Sequence, residues 1–213
     1  PEIFGQEGWH YEFDANGAPG YKGVVFNEMK GAFADADELT CNAINRALFP
    51  NTPYAFVSGG DPDAIGSLQY EAFLAAHRRF YHPSNAFLLL DGSVETDAVF
   101  RLLDEYLSQF TAIRPDTVLA AQAPVCPPQR TIEYPIPAGE SPERRWKLGR
   151  GHVIGTYQDV QTIFAAQVLC DVLCGSNHAP LCRAILERGL AEDVLLGCDD
   201  QCMQPVLMLQ VQN

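Results

Sequence analysis

The side chains able to do chemistry in this chain are few and scattered. Five histidines stand at His10, His77, His82, His152 and His178. No two lie four apart, so no helix presents a pair of imidazoles on one face, and neither H-E-x-x-H nor its inverse H-x-x-E-H occurs. His77 and His82 are five apart with Pro83 behind the second, which reads as a helix end and a turn. Among the cysteines, Cys170 and Cys174 have i, i+4 spacing, with His178 and Cys182 shortly after and Cys198 and Cys202 beyond. A structural zinc site needs four converging thiolates and imidazoles, and these spacings are not those of a C-x-x-C knuckle. They read as buried free thiols, with a Cys/His zinc-binding interaction module as the alternative. Gly59-Gly60-Asp61 is a turn too short to cradle phosphate, and Arg144, Arg145, Lys147 and Arg150 form a local solvated patch. Glu28 is different, because it follows the apolar run Val24-Val25-Phe26. A carboxylate there either turns to solvent from a helix or needs a partner that offsets its burial. By its own residues the chain contains no complete hydrolytic centre.

The elements that would position these groups can be read from pattern. "GWHYEFDANGAPGYKG" predicts a strand and a turn, and a helix begins within Tyr21–Phe33, weakened at its end by Gly31. Asp37 is expected to cap a second helix that Pro50 stops, with Leu39, Ile44, Leu48 and Phe49 on its apolar side. Further helices are predicted over 68–81 and over 95–110, the latter with Val99, Leu102, Leu103, Tyr106, Leu107 and Phe110 on one face. "NAFLLLDG" between them reads as a buried strand. Later come a strand in "RRWKLGRGHVIGTY", a helix over 160–173 with a broad buried face, and a helix over 179–188 ended by Gly189. "PVLMLQVQN" is a half-buried strand that runs off the end uncapped, as expected of a truncated chain. Strand, helix, helix, strand thus recurs in both halves.

Between the halves lies "APVCPPQRTIEYPIPAGESPERR", whose prolines exclude a helix or a central strand and leave room for one short edge strand at 131–134. The expected organisation is therefore a first domain over 1–123, a linker over 124–145 and a second domain from 146 to 213. With 213 residues, 47% of them hydrophobic and 19% charged, a packed core is expected and wholesale disorder is not. The formal net charge of -13 argues against nucleic acid as a partner, since a phosphate-backbone binder needs a basic surface. No apolar run approaches the ~20 residues that span a bilayer, and the chain opens at Pro1 without an apolar leader, so no membrane association is expected. Seven cysteines, an odd number, suit a reducing intracellular compartment better than a disulfide scaffold.

Four segments in order, "FGQEGWHYEF", "YKGVVFNEMKGAF", "LFPNTPYAFVSGGDPDAI" and "FLAAHRRFYHPSNAFLLLDG", resemble the presequence-protease branch of the pitrilysin/insulinase-type zinc metalloproteases. The resemblance is close over residues 3–112 and looser over 150–213, where "FAAQVLCDVLCGSNHAPLCRAILERGLAEDV" looks like the opening of that family's second homologous domain. It implies an α+β fold of mixed, antiparallel-rich sheets with helices packed on one face. It also implies a peptidase in which the two histidines of an inverted H-x-x-E-H motif and a distal glutamate hold zinc. The distal ligand corresponds to Glu28, while the motif itself would lie upstream and has no counterpart here. The resemblance thus implies a section of a zinc peptidase, inactive alone and binding little or no zinc by itself. Its implied substrates are unstructured peptides enclosed in a chamber, and its implied partners are the missing N- and C-terminal parts of the same protein. The implied compartment is the cytoplasm or an organelle matrix. An inactive structural or peptide-binding half of such a protein is the competing implication.

Overall fold

A computed structural model describes residues 2–213. The chain is about 40% helix and 14% strand, with all its strand pairing antiparallel, the expected α+β class. Packing divides the described residues into one unit made of residues 2–66 with 120–213 and another of residues 67–119.

The first unit opens with a hairpin of β1 (His10–Phe13) and β2 (Pro19–Lys22), in register from His10 opposite Lys22 to Phe13 opposite Pro19. Asp14 makes the turn by accepting from the N–H groups of Asn16 and Ala18, both at 2.8 Å. Helix α1 (Val24–Ala32) follows, then α2 (Ala36–Leu48). The cap of α2 is Asp35, two residues before the expected Asp37. Its backbone is extended, and its carboxylate accepts from the N–H groups of Asp37 at 2.8 Å and Glu38 at 3.0 Å. A short helix, α3 (Pro62–Ile65), is capped by Asp61.

After residue 120 the same unit continues through the proline-rich stretch, which holds neither helix nor strand. The edge strand expected at 131–134 is absent because no strand lies beside it to complete a ladder. A three-stranded sheet comes next, built from β3 (Lys147–Val153), β4 (Asp193–Asp199) and β5 (Val206–Gln212) in the order β3-β5-β4. The sequence pattern gave no indication of β4, where Gly197 and flanking aspartates interrupt a short apolar run. Helices α4 (Tyr70–Phe80) and α5 (Thr96–Leu107) belong to the second unit, and α6 (Val160–Cys174) and α7 (Pro180–Leu186) pack on one face of the sheet, burying Cys182, Ala191, Val194 and Val211. The alternation of β5 turns Val206 and Met208 the other way, where Ile44, Leu48 and Phe49 from the end of α2 close the main core. The broad buried face expected of α6 is in fact a narrow stripe around Cys170. Phe164, Val168 and Val172, spaced by four, are 66%, 45% and 58% exposed, because three strands cover only one side of the helix.

The second unit comprises α4 (Tyr70–Phe80), a turn at Pro83–Asn85, a run without helix or strand, and α5 (Thr96–Leu107). None of its described residues is buried. "NAFLLLDG" does not form the buried strand its composition predicts. It holds neither helix nor strand, with Phe87 92% and Leu89 80% exposed, since no strand among the described residues lies alongside to take its backbone hydrogen bonds.

Candidate functional site

Glu28 sits in the second turn of α1, and the local sequence explains how that helix is held. Its entry is Gly23, the only buried residue between Glu2 and Ala43, with φ +152°. A Cβ there would come within 2.1 Å of the Gly8 carbonyl oxygen and 2.7 Å of Trp9 Cα, so only glycine lets the chain pass under that backbone. On the hairpin side, Trp9 packs edge-on to Tyr11 and Tyr21 at 5.6 and 5.2 Å between ring centroids, and Tyr21 reaches Phe26 at 5.7 Å. The Tyr11 hydroxyl, 3.4 Å from that of Tyr21, raises the Tyr21 phenol above its usual value through their hydrogen bond and mutual charge.

The Glu28 side chain is exposed, and no hydrogen bond or ion pair engages it among the described residues. Of the two outcomes open to this carboxylate, it has taken the solvent-facing one. A free, outward carboxylate suits one ligand position of a catalytic zinc site, and only one. Among the described residues no group of three or more His, Cys, Asp and Glu converges on a point that could hold a metal ion.

The histidines have local roles. His10 Nδ1 lies 2.6 Å from the Gly5 carbonyl oxygen, and His77 stacks on Tyr81 at 4.7 Å. His82 accepts from the Ser84 N–H at 3.1 Å and meets Phe110 edge-on, as a turn residue should. His152 and His178 are exposed in β3 and in the turn before α7.

The cysteines are all free. Cys182 is 3% exposed and packs with Cys174 in the apolar cluster between α6, α7 and the sheet, its Sγ 3.8 Å from the Cys174 carbonyl oxygen and 3.7 Å from that of Val194. Burial raises the thiols of Cys41, Cys170, Cys198 and Cys202, and pushes Cys174 up to about 12. Such groups stay protonated, which is the behaviour of packed thiols and opposite to that of ligand thiolates. Three of the four cations of the basic patch are paired: Arg145 with Glu140, Lys147 with Asp37, and Arg144 with Glu192 at 3.8 Å. A cleft of about 450 Å³ opens at the start of α2, lined by Asp35, Asp37, Tyr134, Arg145, Lys147 and Glu192 among others. Its two cations, Arg145 and Lys147, are already paired, and no cysteine, serine or histidine lines it.

What sequence reasoning missed are three glycines that seat α1. Besides Gly23, a Cβ on Gly59 would meet Met29 Sδ at 2.1 Å, and one on Gly66 would meet Tyr21 Cζ at 2.8 Å. Gly59 had signalled only a turn.

Comparison with known proteins fits this arrangement. A family model described as the peptidase M16 inactive domain matches residues 67–212. Protein HypA of Clostridium perfringens is 34% identical over 215 residues, covering 100% of this chain and 22% of that protein. Presequence protease 1, chloroplastic/mitochondrial, of Arabidopsis thaliana is 36% identical over 215 residues, covering 95% of this chain and 19% of that protein. The chain therefore spans about a fifth of the length of these relatives. Among solved structures, the peptidase M16 inactive domain from Pseudomonas fluorescens has a TM-score of 0.57 at 19% identity, over 88% of this chain and 46% of that one. A protease from Helicobacter pylori has a TM-score of 0.58 at 16% identity, over 89% and 46%. At such identities the structures speak for the fold alone.

Proposed function

The chain belongs to the peptidase M16 family, and from that premise we propose that it is a section of a larger zinc-dependent peptidase that hydrolyses unstructured peptides in an enclosed chamber. The observation that carries the reading is Glu28: a free carboxylate on a helix whose entry and packing are fixed by glycines, within the segment "VVFNEMKG". Members of the family are generally zinc metallopeptidases. In the full-length protein Glu28 would be one of the residues holding the metal, which when bound supplies Lewis acidity and an activated water. The remaining donors and the general base lie outside this chain, which has no catalytic residue of its own in this reading.

The organisation we propose is the end of a first peptidase-type domain over 1–123, a linker over 124–145 and the start of a second homologous domain over 146–213. Its support is the stretch from Ser108 to Trp146 without helix or strand, and the onset of β3 at Lys147. The family match over 67–212 runs across this linker, so limited proteolysis within 124–145 is the test. No helix among the described residues is long and apolar enough to cross a membrane, and the relatives include proteins named for mitochondria and chloroplasts. The names of those relatives support an organelle matrix as the compartment, with the cytoplasm as the other compartment proposed.

A second reading, a non-catalytic structural or peptide-binding half, is favoured by the description of the matching family domain as inactive. One experiment separates the two: hydrolysis of a quenched, unstructured peptide by the full-length protein and by its Glu28→Gln variant, with zinc content measured on the same samples. Active, zinc-loaded wild type and a variant depleted in both supports the first reading. Wild type without zinc or activity supports the second.

A further inference from the structure

We infer that residues 86–91 are an interior strand of a sheet whose neighbouring strands come from the part of the polypeptide outside this chain, paired along both edges of the run. The inference rests on the reading of the chain as a section of a larger protein. It deepens that reading by naming the surface that receives the rest and the structure the rest must bring, and it involves no metal.

Residues 87–90 are four consecutive large apolar side chains, and their exposures alternate: 92% and 80% for Phe87 and Leu89 against 57% and 49% for Leu88 and Leu90. Period two is the repeat of a strand, in which successive side chains point to opposite faces. The ends of the run are set. At its start the Asn85 side-chain amide donates to the Phe80 carbonyl at 2.9 Å and the Ala86 N–H to the Pro83 carbonyl at 3.1 Å. Ala86 itself already has strand backbone angles, φ -114° and ψ 146°. At its end Gly92 turns the chain at φ +107°. Between these points no backbone N–H or carbonyl of residues 87–91 is hydrogen-bonded among the described residues. A helix or loop laid over the run would cover its side chains and leave those backbone groups buried and empty, which is costly. Strands alongside satisfy both needs. Residues 87–90 also lack the charge or proline that guards an edge strand, and large apolar groups on both faces are the pattern of an interior one. A second copy of the chain does not meet these requirements. Two-fold pairing of the run with itself would fill one edge of each copy and leave the other open. The rest of the polypeptide has the length to fill both, since this chain spans about a fifth of its relatives. The surrounding unit needs such cover as well: none of the described residues 67–119 is buried, and a segment without an interior does not hold one arrangement by itself.

The test is hydrogen–deuterium exchange over residues 86–91 in the full-length protein and in the 213-residue chain, with Tm and sedimentation on the same samples. Exchange in the full-length protein is expected to be about 100-fold or more slower than in the chain alone. Within the full-length protein, Leu89→Val should keep that protection and stay within about 2 °C of the wild-type Tm. Leu89→Pro keeps an apolar side chain but removes the N–H, and should abolish protection across the run and lower Tm by about 5 °C or more. Proline tolerated as well as valine would mean that side chains alone are covered, and would overturn the inference. If Leu89→Pro fails to fold, the comparison of wild-type full-length protein with the chain still decides. Exchange as fast in an active, zinc-loaded full-length protein as in the chain would overturn the inference and leave the peptidase reading intact. Protection that appears in the 213-residue chain as it sediments as a dimer would overturn it in favour of a second copy. Protection in a full-length protein without zinc or activity would remove the zinc-peptidase reading and leave the strand assignment standing.

Discussion

Gln122 and Gln204 hold each other by two hydrogen bonds: the Gln122 N–H donates to Gln204 Oε1 at 2.6 Å, and Gln204 Nε2 donates back to the Gln122 carbonyl at 3.1 Å. The side-chain amide of Gln204 does what a neighbouring strand would do for the backbone of Gln122, and both residues are buried. The Gln122 side chain carries the chain of bonds onward by accepting from the Asn51 N–H at 2.9 Å. A segment rich in proline, with few donors of its own, is thereby fastened to the turn before β5. Gln204→Leu keeps the bulk but leaves a buried N–H and a buried carbonyl unpaired, and is expected to cost about 3 kcal/mol in urea unfolding. Gln204→Glu, which keeps one acceptor and loses the donor, should also destabilise.

The fit of α2 on the sheet depends on glycine in β3. A Cβ on Gly151 would come 2.3 Å from Ile44 Cγ2 and 2.9 Å from Leu48 Cδ1, and one on Gly149 would come 2.4 Å from Thr40 Cγ2. Gly151→Ala is expected to destabilise by about 2 kcal/mol through overpacking. Adding Ile44→Ala, which removes the clashing methyl, should make the pair cost less than the sum of the two single changes. Strict additivity in denaturant unfolding would show that α2 does not rest on that strand.

Much of this was legible from the sequence, and what was not has a common cause. Apolar spacing located α2, α5, α6 and β5, because it reports the face that an element buries, and the His82-Pro83 stop located the end of α4. It failed where the outcome depends on what lies opposite. "NAFLLLDG" has strand composition, but no neighbouring strand among the described residues, and α6 has two apolar stripes for a sheet that covers one. For the candidate site, Glu28 stood out by its apolar context, yet the glycines that seat its helix were visible only once Met29 and Tyr21 were found lying on them. Glycine as a turn residue and glycine as an empty seat look the same in a sequence.

The cap of α2 gives a direct contrast between two aspartates. Two backbone N–H bonds hold the Asp35 carboxyl below the usual carboxylate range, while Asp37 pairs with Lys147 at the surface. Asp35→Ala is expected to cost about 1 kcal/mol. Asp37→Ala removes a surface ion pair and should cost roughly 0–1 kcal/mol, less as salt is added. The pH dependence follows from the direction of the shift: the stabilisation by Asp35 is present above its unfolded value near 3.8 and is lost as pH falls through the lower folded value. Stability curves of wild type and Asp35→Asn should therefore converge at acid pH; a constant gap between them would count against the cap.

The thiols titrate in the opposite sense. Cys174 goes from a usual value of 9.0 to about 12 in the fold, mainly through burial and then its hydrogen bond with Cys182. Below pH 9 the thiol is protonated in folded and unfolded chains alike. Between pH 9 and about 12 the unfolded chain loses that proton while the folded one keeps it, so stability should fall across this window. Cys174→Ala is expected to flatten the alkaline limb. In native protein at neutral pH a thiol reagent should modify exposed Cys126 first, and Cys170 and Cys182 only on unfolding. Fast labelling of Cys182 in the folded state would contradict its packing.

Glu28 calls for separate measurements in the chain and in the full-length protein. In this chain its carboxylate is exposed and touches nothing that a neutral amide would lose, so Glu28→Gln should change stability by no more than about 0.5 kcal/mol. The chain alone should also bind zinc weakly or not at all, since one carboxylate supplies a fraction of the three protein ligands a catalytic site requires. Zinc content after equilibrium dialysis against trace metal checks this. Tight one-to-one binding that survives Glu28→Gln and disappears in Cys170→Ser would turn attention to the cysteines. In the full-length protein the same Glu28→Gln change should lower zinc content and peptide hydrolysis together, because an amide is a poorer ligand for a dication at nearly equal volume. A silent substitution in the chain combined with a damaging one in the full-length protein is the signature of a residue kept for a partner outside its own packing, and a merely solvated glutamate would be silent in both.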